Sequence, residues 1–164
     1  MSRLLKEPGI TFLIIIMICV IGADQFTKAL VSSLLDYDQP VTLLPIFDWR
    51  LLHNQGAAFS FLSNAGGWQR WLFTGISMGV SVVLFIWLLG TQRSSWLIRY
   101  SLSFIIAGAL GNLIDRLRFG YVVDFVSVHW QEHYFPAFNV ADSFITIGAC
   151  LMIIDMLFNP EHHK

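Results

Sequence analysis

Six polar side chains stand where an apolar chain has little reason to put them. Asp24, Asn112, Asp115, Asp124, Asn139 and Asp142 each interrupt or border a run of hydrophobic residues. Charged groups in such surroundings are expensive to keep, so each asks for a use. Two carboxylates held close together do not both ionise cheaply and share one proton instead. One can then take a proton from water while the other donates to a carbonyl oxygen, which is acid–base hydrolysis. We favour Asp124 and Asp142 as that pair, with Asp24 and Asp115 as competitors; spacing alone leaves the choice open.

The surroundings of these residues admit quieter readings too. Asn112, Asp115 and Arg116 are spaced i, i+3, i+4 and share one helix face. Asp115 and Arg116 there also read as a pair that only glues helices together, since Gly108 and Gly111 just before them let a neighbouring helix approach closely. Asp142 near the start of an apolar run is also a favourable helix N-terminal acid. Asp155 stands by itself at the other end of that run and reads as structural. His129-Trp130-Gln131-Glu132-His133 matches H-x-x-E-H, a zinc signature that needs both histidines on one helix face and a third ligand. Here it falls in a short aromatic-rich stretch ended by Pro136, so no metal is assigned. His162 and His163 form a tail pair with no partner in sequence. Cys19 and Cys150 lie singly in apolar runs with no CxxC, and read as small core residues.

The elements that must position these groups are membrane helices. Hydrophobic residues make up 55% of the 164 and charged residues 13%, against about 25% charged in a soluble domain. A single soluble domain of this length has nowhere to hide that apolar surface. Ten basic residues against 11 acidic ones leave a net charge of −1, which offers nucleic acid no footprint. Four stretches are long enough to cross a bilayer, at about 9–30, 70–90, 96–115 and 139–158. The expected fold is therefore a membrane all-α, four-helix bundle in a single domain, 1–164. The first stretch is uncharged only to Ala23 and reaches spanning length by continuing through Asp24. It has no clear A-x-A site, and Cys19 lacks preceding small residues, so we expect an uncleaved first helix.

Basic residues are densest at Arg3, Lys6, Arg93, Arg99 and Lys164, which predicts both termini on the cytoplasmic side. Trp68, Trp71, Trp130, Tyr134 and Phe135 then form an outer aromatic belt. At about 1.5 Å of rise per residue, Asp24 lies roughly 20 Å along the first helix. That depth coincides with the ends of the third and fourth spans that carry Asn112, Asp115, Asn139 and Asp142. Between the first two helices, Phe47-Asp48-Trp49-Arg50-Leu51 alternates apolar with polar, and Val41–Leu44 can pair with it across Pro45. A small β element over about 38–61 is expected there, breaking at Asn54-Gln55-Gly56-Ala57-Ala58. Asp124, within Val122-Val123-Asp124-Phe125-Val126, must face either water or the polar cluster.

Five blocks along nearly the whole chain carry a more specific message. They are Asp24-Gln25-x-Thr27-Lys28; Asn54-Gln55-Gly56-Ala57-Ala58-Phe59-Ser60; Gly108-x-x-Gly111-Asn112-x-x-Asp115-Arg116; Val123-Asp124-Phe125; and Phe138-Asn139-x-Ala141-Asp142. In this order, on four spans, they resemble the lipoprotein signal peptidases (signal peptidase II) of bacteria. The resemblance implies an aspartic endopeptidase of the inner membrane with its site near the periplasmic face. Its substrate would be a diacylglyceryl-modified prolipoprotein, cut just before the lipid-modified cysteine. Asp124 and Asp142 become the catalytic dyad. Asn54, Gly56, Asn112, Arg116 and Asn139 line the site, while Asp24, Lys28 and Asp115 give structural support. No cofactor is implied, the β element becomes a periplasmic cradle, membrane lipid is a partner, and globomycin-type peptides are expected inhibitors. The small residues of Asn54–Phe59 suggest a lid over the substrate. Rival expectations are a small proton-coupled transporter using its acids as relays, a metalloprotease built on His129 and His133, and a non-catalytic chaperone for lipoproteins.

Overall fold

The structure, a computed structural model, describes residues 7–56 and 67–158. Apolar runs this long must satisfy every backbone polar group internally, which selects helices. Those helices are α1 (Ile10–Leu34), α2 (Trp68–Gly90), α3 (Trp96–Arg118) and α4 (Val140–Phe158), all long and apolar enough to cross a membrane. α1 runs without a break through Asp24–Lys28, beyond the expected end near residue 30. α3 occupies the centre: 67% of its most apolar window is buried, against 22% or less for the other three. Arg99, near the start of α3, is accounted for by the end of α2, where its Nη1 donates to the Thr91 carbonyl at 2.6 Å and to that of Leu88 at 3.4 Å.

At one end of the bundle lies an antiparallel sheet in the order β1 (Val41–Leu44), β2 (Phe47–Asn54), β3 (Val122–Trp130), β4 (His133–Tyr134). The first two strands lie where alternation predicted them; residues 57–61 of that expected segment, and with them Ala57–Phe59 of the expected lid, fall outside the described residues. The other two come from the connection between α3 and α4, where no strands were expected. β3 carries no apolar–polar alternation because its first four residues, Asp124 among them, are all buried. A glycine-capped turn at the end of α3 sets its origin. The Phe119 amide donates to the Asp115 carbonyl, that of Gly120 to Arg116, and Gly120 takes the left-handed conformation (φ 87°) that ends many helices.

Among the described residues, two apolar clusters hold the molecule. Leu13, Met17, Leu88, Ile98, Leu102 and Ile106 fill the bundle away from the sheet. Val31 of α1 packs with Leu51, Val123 and Phe125 and so fastens the sheet to the helix end. α3 and α4 meet closely at small residues: a Cβ on Gly148 would come within 2.8 Å of the Ser101 carbonyl, and Ser101 Oγ donates to the Gly148 carbonyl at 2.7 Å. Cys19 and Cys150, expected in the core, are both exposed on helix surfaces. In a membrane helix the outward face is as apolar as the inward one, so hydrophobic neighbours do not identify the core.

Candidate active site

The site is assembled where α4 begins. The first turn of a helix leaves backbone N–H groups without partners. Asn139 caps them: its Oδ1 accepts from the Asp142 amide at 2.9 Å, while Asp142 Oδ2 accepts from the Asn139 amide at 3.3 Å. This is a reciprocal capping box with asparagine and aspartate in the two roles. A third N–H, that of Ala141, donates to Asp24 Oδ1 of α1 at 2.9 Å. The start of α4 thus fixes the Asp142 carboxyl and ties it to α1.

Asp124 arrives from β3. It pairs in register with Leu52 of β2, which puts Asn54, two residues further on, diagonally beside it on the same face. Asn54 Nδ2 donates to Asp124 Oδ2 at 3.0 Å, and Asn139 Nδ2 donates to Asp124 Oδ1 at 2.7 Å. Asn112 of α3 completes the set by donating its Nδ2 to Asp142 Oδ1 at 2.7 Å. In all three asparagines a donor holds the amide oxygen, which leaves the NH₂ aimed at a carboxylate. The Gly56 amide holds Asn54 Oδ1 at 3.0 Å, the Asp142 amide holds Asn139 Oδ1, and Lys28 Nζ holds Asn112 Oδ1 at 2.9 Å.

Asp124 is 3% exposed. Burial, and then the negative charge of Asp142, push its carboxyl up to about 7, although Asn54, Asn139 and Lys28 pull the other way. Around neutral pH its protonated and ionised forms are therefore both populated. Both aspartates line one cavity of about 570 Å³, together with Asn54, Gly56, Asn112 and Arg116. Its remaining wall is largely apolar, with Phe135, Phe138, Ile145 and Ile147 among the contributors. Arg116 lies over the Phe73 ring at 5.6 Å and its Nη2 reaches the Gly56 carbonyl at 3.4 Å.

Behind the cavity, Lys28 is buried between Asp24 Oδ2 at 2.9 Å and Asp115 Oδ2 at 2.8 Å. Asp115 therefore pairs with Lys28 and not with Arg116, because Arg116 points along the helix face toward the cavity. Asp115 Oδ2 also accepts from the Val123 amide at 3.1 Å, linking α3 to the strand that carries Asp124. Gln25, in the same block as Asp24 and Lys28, has a structural role that its residue type does not announce. Its Nε2 bridges Asp115 Oδ1 at 2.9 Å, Asp24 Oδ2 at 3.2 Å and the Gly111 carbonyl at 3.2 Å. Its place one residue after Asp24 on a helix that must face α3 was the available signal. The four competing aspartates thus separate into two that line the cavity and two that clasp Lys28. Asp155 lies at the far end of α4 and is fully buried.

His129 and His133 fall on paired strands. His129 faces Tyr134 and Trp130 faces His133, so the two histidines point to opposite faces of the hairpin. His129 Nε2 is 3.3 Å from Asp48 Oδ2. The helical geometry that H-x-x-E-H requires is not present.

A bundle of four helices of membrane-span character, with polar side chains from several elements converging on one cavity beside a sheet, defines a multi-pass membrane protein. A family profile described as Signal peptidase (SPase) II, Peptidase_A8, matches residues 16–158, and the chain belongs to that family of aspartic-type peptidases. The lipoprotein signal peptidase of Acinetobacter baylyi is 52% identical over 141 residues, covering 86% of this chain and 79% of that one. The lipoprotein signal peptidase of Shewanella halifaxensis is 47% identical over 159 residues, covering 97% and 93%. A bacterial membrane enzyme solved by the in meso method at 2.3 Å resolution superposes with a TM-score of 0.84 at 31% identity, covering 97% of this chain and 95% of that one. A second, at 1.9 Å, gives 0.80 at 30% identity, covering 94% and 97%. None of these comparisons supports a transporter.

Proposed function

We propose that the protein removes signal peptides from diacylglyceryl-modified prolipoproteins, cutting just before the lipid-modified cysteine, with Asp124 and Asp142 as the catalytic dyad. The observation that carries this reading is the convergence of the two aspartates, from a strand and a helix start, on one cavity with mostly apolar walls. One aspartate takes a proton from water as its oxygen attacks the scissile carbonyl. The other gives its proton to the carbonyl oxygen, forming a neutral tetrahedral diol. Collapse breaks the C–N bond: the diol returns a proton to the dyad and the leaving nitrogen takes one. The products are a signal-peptide carboxyl and a free amine on the lipidated cysteine. The pair titrates as a unit, so the shared proton belongs to both.

Asn54, Gly56, Asn112, Arg116 and Asn139 line the site and hold the dyad and the substrate backbone; Asp24, Lys28 and Asp115 support it. The enzyme sits in the bacterial inner membrane with both termini cytoplasmic and the sheet end periplasmic. Exposed Trp68, Trp71, Trp130, Tyr134 and Phe135 favour this, since all lie at the sheet end, where aromatic side chains suit a bilayer interface. Lipid and globomycin-type peptides are its further ligands. The test is cleavage of a diacylglyceryl-modified prolipoprotein by purified protein with chelator present, read by gel shift. Wild type should cut, and Asp124→Asn and Asp142→Asn, each folded, should not. Cleavage by both variants would overturn the assignment.

A further inference from the structure

Lys28 makes more contacts than a supporting role requires. It is 3% exposed. An ammonium has three donors and no acceptor, and the three go to Asp24 Oδ2, Asp115 Oδ2 and Asn112 Oδ1, all between 2.8 and 2.9 Å. Two carboxylates already neutralise it, so the contact to a neutral amide needs another explanation. The two ends of an Asn amide are almost the same size and differ only in being donor or acceptor. If Asn112 turned over, its oxygen would confront Asp142 Oδ1, acceptor against acceptor, and its NH₂ would confront Lys28, donor against donor. Asn139 Nδ2 also reaches Asn112 Oδ1, but at 3.2 Å and without charge, so the Lys28 contact is the stronger constraint.

We propose that Lys28 is a positioning residue for the cleavage reaction: it locks the Asn112 amide in the one orientation that donates to Asp142. This rests on Asp142 belonging to the dyad. The hydrogen-bonded path from Lys28 to Asp142 runs through Asn112, and the orienting role is exerted through that side chain, separately from the pull of the Lys28 charge on Asp124.

The test uses the purified full chain in detergent with a diacylglyceryl-modified prolipoprotein. Lys28→Met combined with Asp24→Asn removes one positive and one negative charge together, so the net charge of the Asp24–Lys28–Asp115 group is kept; it is compared with Asp24→Asn alone, which carries whatever loss comes from the Asp24 contact to the start of α4. With folding confirmed by thermal melt, kcat should fall about 10- to 100-fold, the usual range for outer-shell partners, while KM holds within about twofold. Adding Asn112→Ala should lower kcat no further, because both changes remove the same interaction. An unchanged kcat, or losses that multiply, would overturn the proposal. If that variant fails to accumulate as folded protein, Asn112→Asp decides. It keeps an oxygen on Lys28 but sets another oxygen toward Asp142, so kcat should drop to the Asn112→Ala level; wild-type turnover would refute the orienting role. Asp142→Asn, run in parallel, separates the two ideas. Activity there removes the dyad reading, whereas a dead Asp142→Asn beside a fully active Lys28 variant removes only this one.

Discussion

α2 and α3 are both 23 residues long and both span the membrane, yet they have divided the work almost completely. α2 shows most of its surface to the outside, with Val82, Val83 and Ile86 among its exposed side chains. α3 is enclosed by its neighbours and carries Asn112, Asp115 and Arg116. A polar group facing lipid has no partner, while one facing other helices can find several. The central helix is therefore the place where this chain can afford polar residues, and the peripheral one is where almost any apolar residue will serve.

The contrast can be broken most severely at the cavity that α3 backs. Asp124→Asn or Asp142→Asn should each lower kcat about 10²- to 10⁴-fold, the range for a positioned proton-transfer group. Helical circular dichroism should stay unchanged, and prolipoprotein turnover is the readout. Next come positions where α3 touches its neighbours. Leu102→Ala empties a fully buried site and should destabilise by about 2–5 kcal/mol, measured by thermal unfolding in detergent. Gly111→Ala places a methyl 2.7 Å from Asp24 Oδ2, and overpacking of this kind costs roughly 1–3 kcal/mol. Activity should fall with it, since Asp24 holds both Lys28 and the start of α4.

A smaller effect sharpens the electrostatics. Asn54 donates to Asp124 and favours its charged form, against the burial that lifts the carboxyl to about 7. Removing that donor with Asn54→Ala raises the Asp124 value further. The alkaline limb of kcat/KM, where the shared proton is lost, should then move to higher pH, and a limb that moves down or stays put would contradict the geometry. Smallest of all is Val83→Ala on the exposed face of α2: stability should change by about 0.5 kcal/mol or less, with turnover equal to wild type.

Much of this arrangement was legible as residue types. Polar groups inside apolar runs had to converge, and depth arithmetic brought those of three helices to one level. What could not be read was long-range pairing. Nothing in Val122–Val128 says that it lies beside Phe47–Asn54, so the meeting of Asn54 with Asp124 was invisible without the strand register. Local spacing suggested Arg116 as the partner of Asp115, but Lys28, 87 positions away and on another helix, won because it is buried where Arg116 is not. The cysteines were misplaced for a reason peculiar to membranes, where apolar surroundings exist on both sides of a helix.

The capping box at Asn139 and Asp142 has a consequence for how the enzyme comes into being. The carboxyl that faces the cavity is the same one that completes the first turn of α4. Winding the last helix and fixing the Asp142 carboxyl at the cavity are thus a single event, so the cavity wall is incomplete until the final span has formed its first turn.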